Sequence, residues 1–257
     1  MKRYFLPLLL LLCLSPARAD TITVAVAANM QYAFEELRTE FARQSGEHVD
    51  AVYGSSGKLV AQISNGAPFD LFLSADMDYP RKLYEAGLVS ALPQPYASGS
   101  LVLWTLKPLD LSKWQVLLRS NAVKKIAIAN PKTAPYGDEA MKLLVHEKLM
   151  KDVEPKLVFG ESISQASQYV FSQEADAGFT AKSVVLSPQM KGKGKWIEMP
   201  EGSYEPIAQG AVILKHGEAE HAKASETFFR FLFSPAAREV LIRYGYILPA
   251  ASSPQEK

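Results

Sequence analysis

The strongest constraint on the fold of this chain is a repeated alternation of short apolar segments with longer segments of helical periodicity. Residues 22–27 form a continuous apolar run typical of a buried strand, and residues 31–44 follow with Phe34, Leu37 and Phe41 at helical spacing. Two further strand-then-helix units follow before residue 87. Such alternation is typical of parallel sheets covered by helices on both faces, which predicts an α/β fold.

The alternation starts a second time near Leu101, which predicts two lobes. We expect each lobe to be a mixed, mainly parallel sheet flanked by helices, with a ligand cleft between the lobes. Lobe 1 is predicted to contain residues 20–101 and 210–257, and lobe 2 is predicted to be inserted as residues 102–209. Residues 93–100 are rich in Pro, Ser and Gly and are expected to precede the first strand of lobe 2, and the Gly-rich basic run at residues 191–195 is expected to be a solvated loop.

The N-terminus has the pattern of a cleavable secretion signal. Lys2 and Arg3 precede an apolar run, and Ala17-Arg18-Ala19 supplies small residues at the two positions read by a signal peptidase. The run is about half the ~20 residues that a membrane-spanning helix needs. A lipid anchor at Cys13 is the alternative, but the leucines around Cys13 lack the small residues that such a site prefers. We therefore predict that residues 1–19 are removed and that the protein is exported.

Charge and cysteine content exclude several classes of function. The chain of 257 residues has 28 basic and 27 acidic residues and one cysteine. Removal of residues 1–19 takes three basic residues and the cysteine, which leaves a net charge of −2. A disulfide framework and a cysteine-based zinc site are excluded, and the charge balance gives no electrostatic footprint for nucleic acid.

Enzyme motifs are incomplete. Residues 54–58 (Gly-Ser-Ser-Gly-Lys) resemble a phosphate-binding P-loop, but Val52 and Leu59 replace the required Gly and Ser or Thr. A nucleophile elbow would need Gly in place of Lys58. The four histidines, at positions 48, 146, 216 and 221, have no metal-ligand spacing and are interpreted as surface side chains. We therefore expect no catalysis, no metal site and no cofactor.

Polar residues lie at the starts of four predicted helices, directly after strands. Asn29, Ser55 with Ser56, Tyr136 and Ser162 occupy these positions, and Ser162 forms a capping-box pair with Gln165. Asn and Ser are ordinary N-cap residues, so each one alone indicates only a helix start. Together they place two helix starts of each lobe at the carboxyl ends of strands, where free backbone N–H groups favour an anion. This predicts a cleft that holds a small oxyanion with neutral donors, with Lys58 and Lys132 at its rim at most.

The motifs of the chain resemble those of a known family, the periplasmic molybdate-binding proteins of ABC importers. The resemblance covers nearly the whole mature chain in motif order, and its most specific part is residues 66–76. The segments that carry it are residues 25–29, 53–59, 66–76, 130–137, 160–163 and 243–246. It implies a type II-like periplasmic binding protein that closes on molybdate or tungstate. It also implies delivery of the anion to an ABC permease by a monomer.

The resemblance places the oxyanion ligands on six residues of this chain. Carried over position by position, they are Asn29, Ser56, Tyr136, the backbone N–H of Ile163, and Ala28 and Ser55 beside the first two. Molybdenum would be bound only as molybdate, through these same residues. Many members have Ser where Asn29 stands and a Tyr in the region of Ala181, which has no hydroxyl in this chain. The resemblance therefore implies that the Tyr136 hydroxyl takes the place of that tyrosine hydroxyl.

Two other interpretations stay open from the sequence. One is a binding protein for another ligand, such as sulfate, phosphate or ferric ion, with Glu161 as the candidate carboxylate for a phosphate proton and Tyr136 as the available tyrosine for iron. The other is an exported hydrolase that uses Ser56, which would require a histidine base close to that serine.

Overall fold

The computed structural model describes residues 21–249. The predicted signal at residues 1–19, with Cys13, lies outside the described residues. Among residues 21–249, the helices are too short or too polar to cross a membrane.

Within residues 21–249, ten strands form two five-stranded sheets. In chain order the strands are β1 (Ile22–Ala27), β2 (Val49–Gly54), β3 (Leu71–Leu73), β4 (Gln94–Gly99), β5 (Leu101–Thr105), β6 (Ile126–Ala129), β7 (Leu157–Gly160), β8 (Ala177–Ala181), β9 (Lys195–Glu198) and β10 (Ile207–Ile213). The first sheet has the order β2-β1-β3-β10-β4, and the second has the order β7-β6-β8-β5-β9. The chain crosses from the first sheet to the second between β4 and β5 and returns between β9 and β10. The second lobe is thus inserted into the first.

Both sheets are mixed in the way that the alternation predicts. β1 pairs in parallel with β2 and β3, and β6 pairs in parallel with β7 and β8. The antiparallel pairs involve β10, which lies between β3 and β4, and β5, which lies between β8 and β9. The predicted two-lobed α/β fold is confirmed.

Eleven α-helices of the described residues surround the sheets. They are α1 (Gln31–Ser45), α2 (Ser56–Ser64), α3 (Asp78–Glu85), α4 (Trp114–Arg119), α5 (Pro135–His146), α6 (Met150–Val153), α7 (Ile163–Phe171), α8 (Lys182–Leu186), α9 (Lys215–Glu220), α10 (Ala222–Phe231) and α11 (Pro235–Arg243). Each of α1, α2, α5 and α7 follows a strand of its own sheet, so their N-termini lie at the carboxyl ends of the parallel strands.

The apolar face predicted for α1 is buried against the C-terminal helices. Phe34, Leu37 and Phe41 are each no more than 2% exposed. The rings of Phe41 and Phe228 meet edge to face with centroids 5.0 Å apart, an arrangement that adds to the burial of their area. The C-terminal segment therefore returns to complete the core of the first lobe.

Two sequence expectations differ from the structure. Residues 94–99 form edge strand β4, in which Pro95 is tolerated because an edge strand has unpaired backbone groups. The basic run is exposed as expected, but its last residue, Lys195, begins β9. Leu101 is the first residue of β5 in the second sheet, and residues 207–209 belong to β10 in the first sheet.

Candidate functional site

A small cavity lies between the two lobes. The space between its walls, part of it open to solvent, is about 200 Å³. All six residues proposed from the sequence line it, and every lining residue in the described chain is uncharged. The lining residues are Ala27, Ala28, Asn29, Gly54, Ser55, Ser56, Ala75, Ala134, Pro135, Tyr136 and Ile163. The structure thus brings the six residues together, although their contact with a ligand stays a prediction.

Lobe 1 contributes the residues that follow β1 and β2. These strands are parallel neighbours in register, with Ala27 opposite Gly54, so the residues after them are adjacent in space. Ala28 and Asn29 begin a short 3-10 turn before α1, whereas Ser55 and Ser56 begin α2 directly. The first amides of a helix have no partner within the helix, so this edge of the sheet presents free N–H groups.

Asn29 does not cap α1, contrary to the sequence prediction. The residue is 1% exposed. Its Nδ2 donates to Gln209 Oε1 at 3.0 Å and to Tyr246 Oη at 3.1 Å. Its Oδ1 is buried without a hydrogen-bond partner. The 3-10 turn inserted between β1 and α1 moves Asn29 away from the cap position, and its amide instead faces a polar cluster under the cavity.

The two serines are placed as predicted, but their hydroxyls do not cap α2. Ser55 occupies the N-cap position without a side-chain cap bond, and its buried Oγ has no hydrogen-bond partner. Ser56 Oγ accepts a hydrogen bond from the Ala75 N–H at 3.0 Å, which ties α2 to the carboxyl end of β3. An unpaired buried hydroxyl costs about 1–3 kcal/mol, so Ser55 has an unmet hydrogen bond that a ligand in the cavity can satisfy.

Lobe 2 contributes the first turns of α5 and α7. Tyr136 is the second residue of α5, after Pro135, and Ile163 is the first residue of α7. The predicted cap at Ser162 is confirmed, since its Oγ accepts from the Gln165 N–H at 3.3 Å. The Gln165 side chain in turn accepts from the Glu161 N–H at 2.6 Å, one residue before the expected position.

The Tyr136 hydroxyl reaches across the cleft into lobe 1. It accepts a hydrogen bond from Gln209 Nε2 at 3.3 Å, and the residue is 2% exposed. Burial raises the pKa of the Tyr136 hydroxyl well above its ordinary value, and the nearby hydroxyls of Tyr246 and Tyr96 raise it further. The hydroxyl therefore keeps its proton. Since Gln209 donates to its oxygen, the hydroxyl can still donate one hydrogen bond of its own.

Three residues under the cavity were not identified from the sequence as site residues. Gln209, Tyr96 and Tyr246 are buried beside Asn29 and form one hydrogen-bonded cluster with it. Tyr96 Oη donates to Gln209 Oε1 at 2.9 Å, and Tyr246 Oη donates to the Asn29 carbonyl at 3.0 Å. Tyr246 belongs to a segment that carried the family resemblance, but Gln209 and Tyr96 carry no signal in a single sequence.

Contacts on both sides of the cavity hold the lobes closed. Near α2, the Gly57 N–H donates to the Thr133 carbonyl at 2.9 Å. Lys58 Nζ lies 2.5 Å from Glu161 Oε1, and both side chains are about half exposed. Lys58 is therefore a rim residue, as predicted, and Glu161 is not a buried acceptor for a ligand proton.

Behind the cavity, Ser164 Oγ donates to the Ala28 carbonyl at 3.2 Å and Ser183 Oγ donates to the Asn29 carbonyl at 2.8 Å. Ala181 is fully buried at the end of β8, directly before helix α8, which carries Ser183. Ala181 is not among the residues that line the cavity, and the replacement of a hydroxyl near it by that of Tyr136 stays a prediction.

The interpretation of all four histidines as surface side chains is wrong for two of them. His48 and His146 are exposed, as expected. His216 and His221 instead both contact the buried carboxylate of Asp70. The two histidines are five positions apart, and Asp70 lies far away in sequence, so local spacing gives no sign of this cluster.

This arrangement can bind a small anion without a buried counter-charge. The donors are a tyrosine hydroxyl, a serine hydroxyl and the free amides of helix starts, aided by the positive ends of the helix dipoles. Neutral donors avoid the desolvation cost of burying a cation with the ligand. Two lobes that close on such a cavity define the class of periplasmic-type binding proteins.

Comparison with known proteins gives the family. Residues 22–247 match the family described as bacterial extracellular solute-binding protein, and the chain belongs to it. It is 40% identical to the molybdate-binding protein ModA of Azotobacter vinelandii over 231 residues. These aligned residues cover 90% of this chain and 91% of that protein. It is 39% identical over 233 residues to ModA of Rhodobacter capsulatus, with 90% of each chain covered. The solved periplasmic molybdate-binding protein of Azotobacter vinelandii superimposes with a TM-score of 0.84 at 35% identity, covering 89% of this chain and all of that one.

Proposed function

We propose that this protein captures molybdate in the interlobe cavity and delivers it to an ABC permease. The observation that carries the proposal is the uncharged cavity between the lobes, lined by helix starts, Tyr136 and the unpartnered Ser55 hydroxyl. The names of the 40% and 39% identical relatives support molybdate as the anion. Tungstate is also expected to bind, because the two tetrahedral dianions are nearly the same size.

The protein is proposed to act in the periplasm as a monomer without a cofactor, after removal of residues 1–19. The open form would present the donors of one lobe, the anion would bridge to the other lobe, and the permease would recognise the closed shape. With a net charge of −2 for the mature chain, bulk attraction cannot draw in a dianion. Local donors at the helix starts must therefore supply the affinity, and cavity dimensions must supply selectivity against sulfate.

The rival functions have weaker structural support. Glu161 is half exposed and paired with Lys58, which argues against a protonated phosphate as the ligand. Tyr136 is hydrogen-bonded to an amide rather than grouped with carboxylates, which argues against ferric ion. Ser56 bonds to a backbone amide, and the two clustered histidines meet at Asp70, which argues against a serine hydrolase.

Thermal unfolding of the mature chain tests the proposal. The protein is melted without ligand and with molybdate, tungstate, sulfate or phosphate. A ligand at about 100 times its Kd adds about 2.7 kcal/mol, which corresponds to a rise of about 5–10 °C in Tm for a chain of this size. We expect this rise with molybdate and tungstate. A rise with sulfate or phosphate but none with molybdate would overturn the proposal.

A further inference from the structure

A second cluster of ligand-type side chains lies in lobe 1, away from the cleft. Asp70 immediately precedes β3, and its side chain is 1% exposed. Its Oδ1 lies 3.0 Å from His216 Nδ1 and 2.9 Å from His221 Nδ1. One donor atom from each residue lies within 4.8 Å of the other two, so two nitrogens and one oxygen converge on one point.

The carboxylate at the centre of this cluster is held from behind. Asp70 Oδ2 accepts a hydrogen bond from the Thr23 N–H at 2.6 Å, which leaves Oδ1 directed at the imidazoles. The Asp70 carbonyl accepts from the Leu214 N–H at 2.8 Å, which fixes the approach of α9. A Cβ on Gly217 would lie 2.5 Å from the same carbonyl, so glycine is needed for this close packing. Such outer contacts orient the ligands of metal sites.

We propose that Asp70, His216 and His221 form a binding site for one divalent transition-metal ion of the Zn²⁺ type. Two imidazole nitrogens and a carboxylate oxygen form a donor set that Zn²⁺ accepts at about 2.0–2.2 Å, with water as the fourth ligand. Donor atoms about 3 Å apart can surround such an ion after small shifts. The imidazoles are 35% and 29% exposed, so the ion and its water can enter from solvent.

The metal ion would link three elements of lobe 1. Asp70 stands before β3, His216 lies in α9, and His221 lies between α9 and α10. The oxyanion cavity is at the carboxyl end of β3, near Ala75, and the cluster is at its amino end, so the two sites are separate. Ligation requires Nδ1 of each ring to be free of its proton, so the metal replaces the two hydrogen bonds to Oδ1.

Zn²⁺ binding is tested with two double variants, one that removes the two clustered histidines and a control that removes the two exposed ones. The untagged mature protein is treated with a chelator and titrated calorimetrically with Zn²⁺, next to the double variants His216→Gln/His221→Gln and His48→Gln/His146→Gln. We expect one Zn²⁺ per chain in the wild type, unchanged binding in the His48/His146 variant, and at least 100-fold weaker binding in the His216/His221 variant. Asp70 is left intact because its contacts with Thr23 support the fold.

The unmutated protein provides a second test that does not depend on variant folding. Co²⁺ bound by two nitrogens, one oxygen and water in a tetrahedral site gives intense visible absorption, and Zn²⁺ should abolish it stoichiometrically. Equal Zn²⁺ affinity of the two double variants, or a wild type that binds no Zn²⁺ and gives no tetrahedral Co²⁺ spectrum, would overturn the proposal. Molybdate titration of the same samples reports on the cleft separately.

Discussion

Replacement of Tyr136 by phenylalanine removes one hydroxyl from the cavity while leaving the ring that fills the space between the lobes. In the structure this hydroxyl accepts from Gln209 Nε2 at 3.3 Å and keeps its own proton, because burial raises its pKa. A bound dianion would accept a charge-assisted hydrogen bond from this hydroxyl. The variant therefore tests whether Tyr136 acts as a donor or only as packing.

The magnitude follows from the kind of bond that is lost. A hydrogen bond to a charged group contributes about 1.5–3 kcal/mol, and each 1.4 kcal/mol changes Kd about tenfold. Tyr136→Phe should therefore weaken molybdate binding by about 10- to 100-fold. The ligand-free protein should lose about 1 kcal/mol at most, because the bond from Gln209 is long and a single neutral bond contributes about that much.

Tyr96→Phe is the matched control. Tyr96 is as deeply buried and also bonds to Gln209, at 2.9 Å, but it is not among the residues that line the cavity. This variant should lower Tm without ligand while changing Kd much less than Tyr136→Phe. Kd is measured by calorimetry and stability by thermal unfolding. A Tyr136→Phe protein that binds molybdate within twofold of the wild type would refute the assignment of Tyr136 as a donor.

Two further variants separate ligand contact from closure. Ser55→Ala removes a buried hydroxyl that has no partner and makes no cap bond, so the Tm of the ligand-free protein should stay equal or rise. Calorimetry should show about tenfold weaker molybdate binding. A fall in ligand-free Tm with unchanged Kd would contradict this expectation. Gly57→Ala places a Cβ 2.5 Å from Tyr79 Oη within lobe 1 and 3.1 Å from Thr133 Cα across the cleft, so both neighbours must shift. Its molybdate affinity should therefore fall, with some loss of ligand-free Tm from the displaced Tyr79, and an affinity equal to the wild type would show that closure tolerates the extra methyl group.

The parts of the fold that follow local rules were predictable from the sequence. The apolar run at residues 22–27 and the helical spacing of Phe34, Leu37 and Phe41 gave β1 and α1, because period and length distinguish a buried strand from an amphipathic helix. β4 was not recognised, because Pro95, Ser98 and Gly99 are typical of a loop. The β10 strand pairs with it and turns a weak local preference into an edge strand.

The position of the candidate site was predictable, but the partners of its side chains were not. Parallel strands put their carboxyl ends on one edge, so the helix starts after β1 and β2 had to be neighbours. The orientation of Asn29 depends instead on Gln209 and Tyr246, which lie 180 and 217 residues away in sequence. Long-range contacts of this kind depend on the completed fold, and the meeting of His216 and His221 at Asp70 has the same origin.

The cluster under the cavity gives a physical reason why closure and binding depend on each other. Tyr136 comes from lobe 2, whereas Gln209 and Asn29 belong to lobe 1, so the hydrogen bond from Gln209 to the Tyr136 hydroxyl forms only when the lobes meet. In an open form, the Tyr136 hydroxyl would lose Gln209 and donate to water. A ligand that binds the closed form alone shifts the equilibrium by its differential affinity for that form. If Tyr136 donates to the anion as proposed, the movement that encloses the anion also brings the Tyr136 hydroxyl to Gln209.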